Sequence, residues 1–80
     1  MRIDELKRIA KENDYEYEPF WLEHKFTKKQ SGNCIRISGT VEKTLWIDNQ
    51  NWCDWSDFEM IKASVEFAET PVDERGIYED

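Results

Sequence analysis

Two periodicities of apolar residues alternate along the chain, and the points where one gives way to the other divide it into elements. Between Arg2 and Asn13, Ile3, Leu6, Ile9 and Ala10 fall on one helical stripe, with Lys7, Arg8, Lys11 and Glu12 outside it. That spacing predicts an amphipathic helix of about three turns. Asp4 and Glu5 precede Lys7, Arg8 and Lys11, the order that complements the helix dipole. Beyond Tyr15 the period falls to two. Phe20, Leu22, His24 and Phe26 alternate with Trp21, Glu23 and Lys25, which predicts one strand beginning near Pro19. The KKQSGN segment then predicts a turn in which Gly32 and Asn33 accept left-handed angles.

In NCIRISG, Ile35 and Ile37 share one face and Cys34, Arg36 and Ser38 the other. KTLWID places Leu45 and Ile47 against Thr44 and Trp46 in the same way. A one-residue slip would send every apolar side chain to the wrong face, so the hairpin must pair residues of matching parity. A three-residue loop does this by opposing Ile37 to Leu45 and Arg36 to Trp46. The expected sheet is a three-stranded antiparallel meander, with Tyr15 and Tyr17 leaving open a fourth strand.

The second helix is announced by NQNWCDWSDFEM. Ser56 and Glu59 have capping-box spacing, and Trp55 and Met60 stand where a hydrophobic staple would form. Asp57 and Glu59 meet the positive end of the dipole. Phe58, Ile61, Val65 and Ala68, with Met60, Ser64 and Phe67 beside them, form the apolar stripe, and Thr70-Pro71 ends it. The expected fold is therefore α+β in the order α-β-β-β-α, with both helices on one face of the sheet. Residues 1–70 form a single domain and residues 71–80 a flexible acidic tail, since PVDERGIYED has high charge and no period.

Composition narrows the class. Eighty residues with 39% hydrophobic and 14% aromatic content suffice for one small core, because rings bury much area per residue. No apolar run is long enough for a membrane span, and MRIDELKRIAKEN carries charge where a signal peptide needs apolar residues. The expectation from these features is a cytoplasmic protein with no membrane partner. Cys34 and Cys53 are too few for a disulfide framework and read as reduced thiols. The net charge of −7 is lopsided: residues 1–43 carry net +1 and residues 44–80 net −8. Phosphate binding is driven by Lys and Arg displacing counterions, so nucleic acid is disfavoured as a partner.

Reactive chemistry is sparse. No nucleophile elbow or glycine-rich phosphate loop is present, and Glu16 and Glu18 read as surface alternation, so neither an enzyme nor a cofactor is expected. His24, Cys34 and Cys53 match no zinc spacing, and no metal site is expected. The acids Asp54 and Asp57 beside Cys53 argue against a catalytic thiolate, because negative neighbours disfavour the anion. Trp52 and Cys53 are instead expected to plug the sheet edge.

Interaction surfaces remain. The strand pattern puts Trp21, Arg36 and Trp46 together on the face opposite the helices, the kind of rigid amphipathic cluster that anchors protein interfaces. Alternatively, the 48–55 loop or the tail folds over these rings. Trp52 is a further candidate anchor. Acids along the second helix and its exit, Asp54, Asp57, Glu59, Glu66, Glu69, Asp73 and Glu74, form either a solvated face or a ladder imitating nucleic-acid phosphates. Lys25, Lys28 and Lys29 beside Trp21 offer a third possibility, a nucleic-acid-binding hairpin with a stacking platform.

The segment from Trp52 through Arg75, above all MIKASVEFAETPVDERG, resembles a recurrent ending of small uncharacterised proteins from phages and prophages of Gram-positive bacteria. There an apolar helix closes in Thr-Pro followed by acid-acid-Arg, here Thr70, Pro71, Asp73, Glu74 and Arg75. The resemblance covers under half the chain. It implies a phage or prophage origin and a host-cytoplasm setting, and it supplies no activity and no functional residues. The combined expectation is a non-enzymatic accessory protein that binds a host or phage protein through Trp21, Arg36, Trp46 and Trp52 or through Asp57, Glu59, Glu66 and Glu69. A self-associating module whose aromatic face pairs with its copy, possible as a homodimer, is the alternative.

Overall fold

A computed structural model describes residues 1–76. Helix α1 (Ile3–Glu12) leads into strands β1 (Glu16–Phe20), β2 (Glu23–Thr27), β3 (Cys34–Ser38) and β4 (Leu45–Asp48), followed by helix α2 (Trp55–Glu69) and a 3-10 turn (Val72–Glu74). The strands form one antiparallel sheet in the order β1-β2-β3-β4. The fold is α+β, with four strands rather than three.

The extra strand comes from residues 20–26, expected as one strand. They are a hairpin instead, with Phe20 opposite Glu23 and Trp21-Leu22 as its two-residue loop. Such loops need a positive φ, ordinarily supplied by Gly or Asn. Here Trp21 takes it, at φ 57°. The sequence carries no turn signature at this point, which is why the alternation looked unbroken.

The inner face of the sheet supplies Phe26, Ile35 and Ile37 to the core, with Tyr15 just before β1. Helix α1 adds Ile3, Leu6 and Ala10 from its expected stripe, and α2 adds Met60, Ala63, Phe67 and Ala68. Asn13 ends α1, its side-chain amide donating to the Ile9 carbonyl at 2.9 Å. The stripe of α2 is rotated from expectation: Met60, Ala63, Ser64 and Phe67 face inward, while Phe58 and Val65 are exposed. Its cap has also moved. Asp54, not Ser56, is the N-cap, accepting from the Ser56 and Asp57 amides, and Asp57 returns the bond to the Asp54 amide at 2.9 Å. Asp-x-x-Asp does the work expected of Ser-x-x-Glu. Trp55 thus lies inside the helix rather than at a staple position.

Backbone hydrogen bonds at the strand ends fix which way each amide faces. Lys28 donates to the Asn33 carbonyl at 2.8 Å and Gly39 to that of Leu22 at 2.7 Å, so Ile35 and Ile37 pair toward β2. Ser38 donates to the Thr44 carbonyl at 3.0 Å, so Arg36 pairs toward β4 with Trp46. By the alternation of an antiparallel ladder, Leu45 and Ile47 then turn their N–H and C=O groups to the open edge. At the opposite border the same alternation turns Pro19 outward, where its missing N–H costs the ladder nothing. Gly39 is required in this arrangement, because a Cβ there would stand 2.8 Å from the Leu22 carbonyl oxygen.

The segment beginning at Pro71, expected as a flexible tail, is docked as far as it is described. Arg75 is 3% exposed. Its guanidinium donates to the carbonyls of Ala68 (3.0 Å), Thr70 (3.0 Å) and Ser38 (2.7 Å) and lies 4.6 Å from the Phe67 ring centre. Its own carbonyl accepts from the Ile3 amide at 2.7 Å. A cation at the carbonyl end of α2 satisfies groups the helix leaves unpaired. Burial lowers the Arg75 pKa, opposed by the charge of Glu42. The expected tail beyond Gly76 lies outside the described residues.

Candidate interaction surface

The four tryptophans are all on the surface, 61–97% exposed. A core of this size ordinarily recruits such rings, since they bury the most area per residue. Here Phe26, Phe67, Leu6, Ile35, Ile37 and Met60 fill it without them.

On the outer face of the sheet, Arg36 and Trp46 are cross-strand partners, as parity and a short loop predict. The guanidinium carbon lies 5.5 Å from the Trp46 ring centre and 5.3 Å from that of Phe20, within cation–π range. Glu23 orients it through two bonds, 2.7 Å to Nε and 3.1 Å to Nη2. This pairing holds the Glu23 carboxyl below its ordinary pKa and lifts that of Arg36.

Trp21 is not part of this cluster's strand face. The 21–22 loop reverses the phase of β1, so Phe20 takes the outward place expected for Trp21, and Trp21 projects with Leu22 from the hairpin tip. Leu22, Glu23, Arg36, Ser38, Thr40, Thr44, Leu45 and Trp46 line a shallow groove beside the cluster. The 48–55 loop does not cover the cluster, and Trp46 stays exposed.

Trp52 does not plug the sheet edge; it is the most exposed ring of the four. Asn33 holds its loop, Oδ1 accepting from the Gln50 and Asn51 amides at 2.9 and 3.2 Å, and Asn51 donates to the Ser31 carbonyl. Asn49 donates to the half-buried Cys53 sulfur at 2.7 Å. Both cysteines are free thiols.

The acidic candidates separate. Asp57 is 2% exposed and unavailable to any partner. It accepts from the Tyr15 hydroxyl at 2.7 Å and lies 3.4 Å from the Lys28 ammonium, which donates to Ser56 Oγ at 2.7 Å. This buried set, which the sequence reading missed, stitches the end of β2 to the start of α2. Burial and the Asp57 bond raise the Tyr15 pKa far above normal, and the Ser56 hydroxyl with the Asp57 amide lowers that of Asp54. Glu59 is exposed and paired with Lys62 at 2.8 Å, while Glu66 and Glu69 are exposed on α2. With Asp54 and Asp57 committed to capping, the ladder of acids is broken at its beginning.

The lysines of the first hairpin are similarly engaged. Lys25 lies 3.8 Å from Glu18, Lys29 3.0 Å from Glu16, and Lys28 is buried as described. The tip beside Trp21 is therefore not a cationic platform. His24 faces the core, its Nδ1 2.8 Å from the Tyr17 hydroxyl and its ring edge-on to Phe67. Burial, then the charge of Arg75, depresses its pKa. Among the described residues, no three His, Cys, Asp or Glu side chains gather as a metal site, and no helix is long and apolar enough to cross a membrane. Compared with known protein families, curated proteins and solved structures, the chain matches none.

Proposed function

We propose that this chain is a small accessory protein of phage or prophage that acts without catalysis, binding a host or phage protein in the host cytoplasm. The binding surface is the outer cluster of Phe20, Arg36 and Trp46 together with the tip residues Trp21 and Leu22. The observation that carries this reading is the exposure of the four tryptophans around a core complete without them. Rigid aromatic groups beside an oriented guanidinium are what protein interfaces use as anchors. The phage setting rests on the resemblance of the Trp52–Arg75 segment.

The non-enzymatic reading draws on the same geometry. A group of polar and titratable side chains, Tyr15, Lys28, Ser56 and Asp57, is buried and spent on internal bonds. The outer groove offers a guanidinium held by Glu23, suited to positioning a partner rather than to moving protons.

The test is recovery of a partner from host lysate by the wild type, followed by direct titration of that partner with variants. Trp21→Gly with Trp46→Ala is expected to abolish binding while far-UV circular dichroism is unchanged. Glu66→Gln with Glu69→Gln is expected to bind normally. The opposite ranking would discard the aromatic surface in favour of the acidic helix.

A further inference from the structure

The two borders of the sheet are built differently. At β1 the outward positions are Tyr17 and Pro19, the second of which offers no N–H, and Glu16 and Glu18 add charge. Proline and charge are the devices by which edge strands avoid pairing. Strand β4 has neither on its central residues, which read Leu-Trp-Ile. Among the described residues, the outward N–H and C=O groups of Leu45 and Ile47 have no hydrogen bond beyond the ladder.

The helix above this edge is unfinished in the same direction. One flank of α2, with Trp55, Glu59, Lys62, Ala63 and Glu66, lines a groove against α1. The other carries Phe58, Ile61 and Val65 at helical spacing and points away from α1, over the β4 side of the sheet. Ile61 packs partly on the core, but Phe58 is 59% and Val65 39% exposed, and Ile47 on β4 is 40% exposed.

We infer that a second copy of this chain covers both features, pairing β4 with its counterpart in antiparallel register about a two-fold axis through Trp46. The edge is complementary to itself. Its outward-facing residues, Leu45 and Ile47, are two positions apart, so Leu45 of each copy meets Ile47 of the other and the two pairs exchange backbone hydrogen bonds. Trp46 opposes its own copy at the non-hydrogen-bonded site, where side chains approach most closely. Asp48 meets Thr44 of the other copy, so no like charges face each other across this register. An axis normal to the sheet puts the helices of both copies on the same side. The Phe58, Ile61 and Val65 flanks then meet over the joined strands. The result is an eight-stranded sheet whose outer face carries two Phe20, Arg36 and Trp46 clusters side by side.

Sedimentation equilibrium on the intact protein is expected to give twice the 9.7 kDa chain mass. Phe58→Lys with Val65→Lys, both at exposed positions, is expected to give the single-chain mass with the helical circular dichroism retained. Amide hydrogen exchange supplies a second reading that does not depend on the variant. Leu45 and Ile47 are expected to be protected at high protein concentration and to lose that protection on dilution. A wild type that remains monomeric at NMR concentrations overturns the inference. So does a dimer whose Leu45 and Ile47 amides exchange as fast as those of the monomer, or one that survives both lysines with its fold intact.

Discussion

Arg75 donates to the carbonyl of Ser38 at 2.7 Å, joining residues 37 positions apart. That bond ties the exit of α2 to the end of β3, and the two companion bonds to Ala68 and Thr70 close the helix. Arg75→Ala leaves these carbonyls without the charged donor in a buried site. The expected loss is roughly 2–4 kcal/mol, since bonds to charged groups contribute more than neutral ones. Urea denaturation measures it. Arg75→Lys, lacking the planar fork, should recover under half of the loss.

Lys28 and Asp57 make the corresponding test at the other end of α2. Removing the ammonium with Lys28→Ala leaves a carboxylate that is almost wholly buried, with the Tyr15 hydroxyl and the Asp54 amide as its remaining donors. The expected cost is roughly 3 kcal/mol, at the lower end for a broken buried pair because those donors remain. Thermal denaturation of Lys28→Ala beside Asp57→Asn and the double variant would show strong non-additivity if the two act as a unit.

His24 predicts a pH dependence near neutrality. Its folded pKa lies below the ordinary 6.5, so between the two values the unfolded chain binds more protons than the folded one. Stability from the neutral ring is therefore complete above pH 6.5 and declines as pH falls toward the depressed folded value. His24→Gln should flatten that part of the stability profile, and an NMR titration of the imidazole reads the folded value directly. An imidazole titrating above 6.5 would reverse the sign and refute the account.

At Trp21 folding and binding should part company. The residue holds φ 57°, a left-handed angle that costs a side chain of this kind about 1 kcal/mol. Trp21→Gly relieves that strain and removes an exposed ring, so the melting temperature should hold or rise. Partner affinity should fall by about tenfold or more, the effect of losing a tryptophan that serves as an interface anchor. A variant that melts markedly lower would mean that Trp21 serves the fold.

What the sequence disclosed follows the strength of its periodic signals. The Ile37–Leu45 and Arg36–Trp46 register was readable because parity together with a short connection selected it, and the stripe of α1 because polar residues bounded it clearly. The first hairpin was hidden because Trp21 and Leu22 are not turn residues, so two strands imitated one. In α2, apolar residues sit on both the Met60, Ser64 and Phe67 side and the Phe58 and Val65 side, so periodicity did not single out the buried stripe. Arg75 reads in sequence as part of a charged tail because its acceptors are backbone carbonyls, which no side-chain pattern reveals. Two of the five surface residues, Arg36 and Trp46, follow from the register; Phe20, Leu22 and the position of Trp21 depend on a turn that the sequence does not announce.

Pro19 has a consequence for solubility. By removing one outward N–H, it disfavours pairing at the β1 border and leaves β4 as the more open of the two. Growth of the kind that builds fibrils needs two open ends on every unit. A chain displaying this much indole on its surface can therefore be sticky without polymerising through its strands.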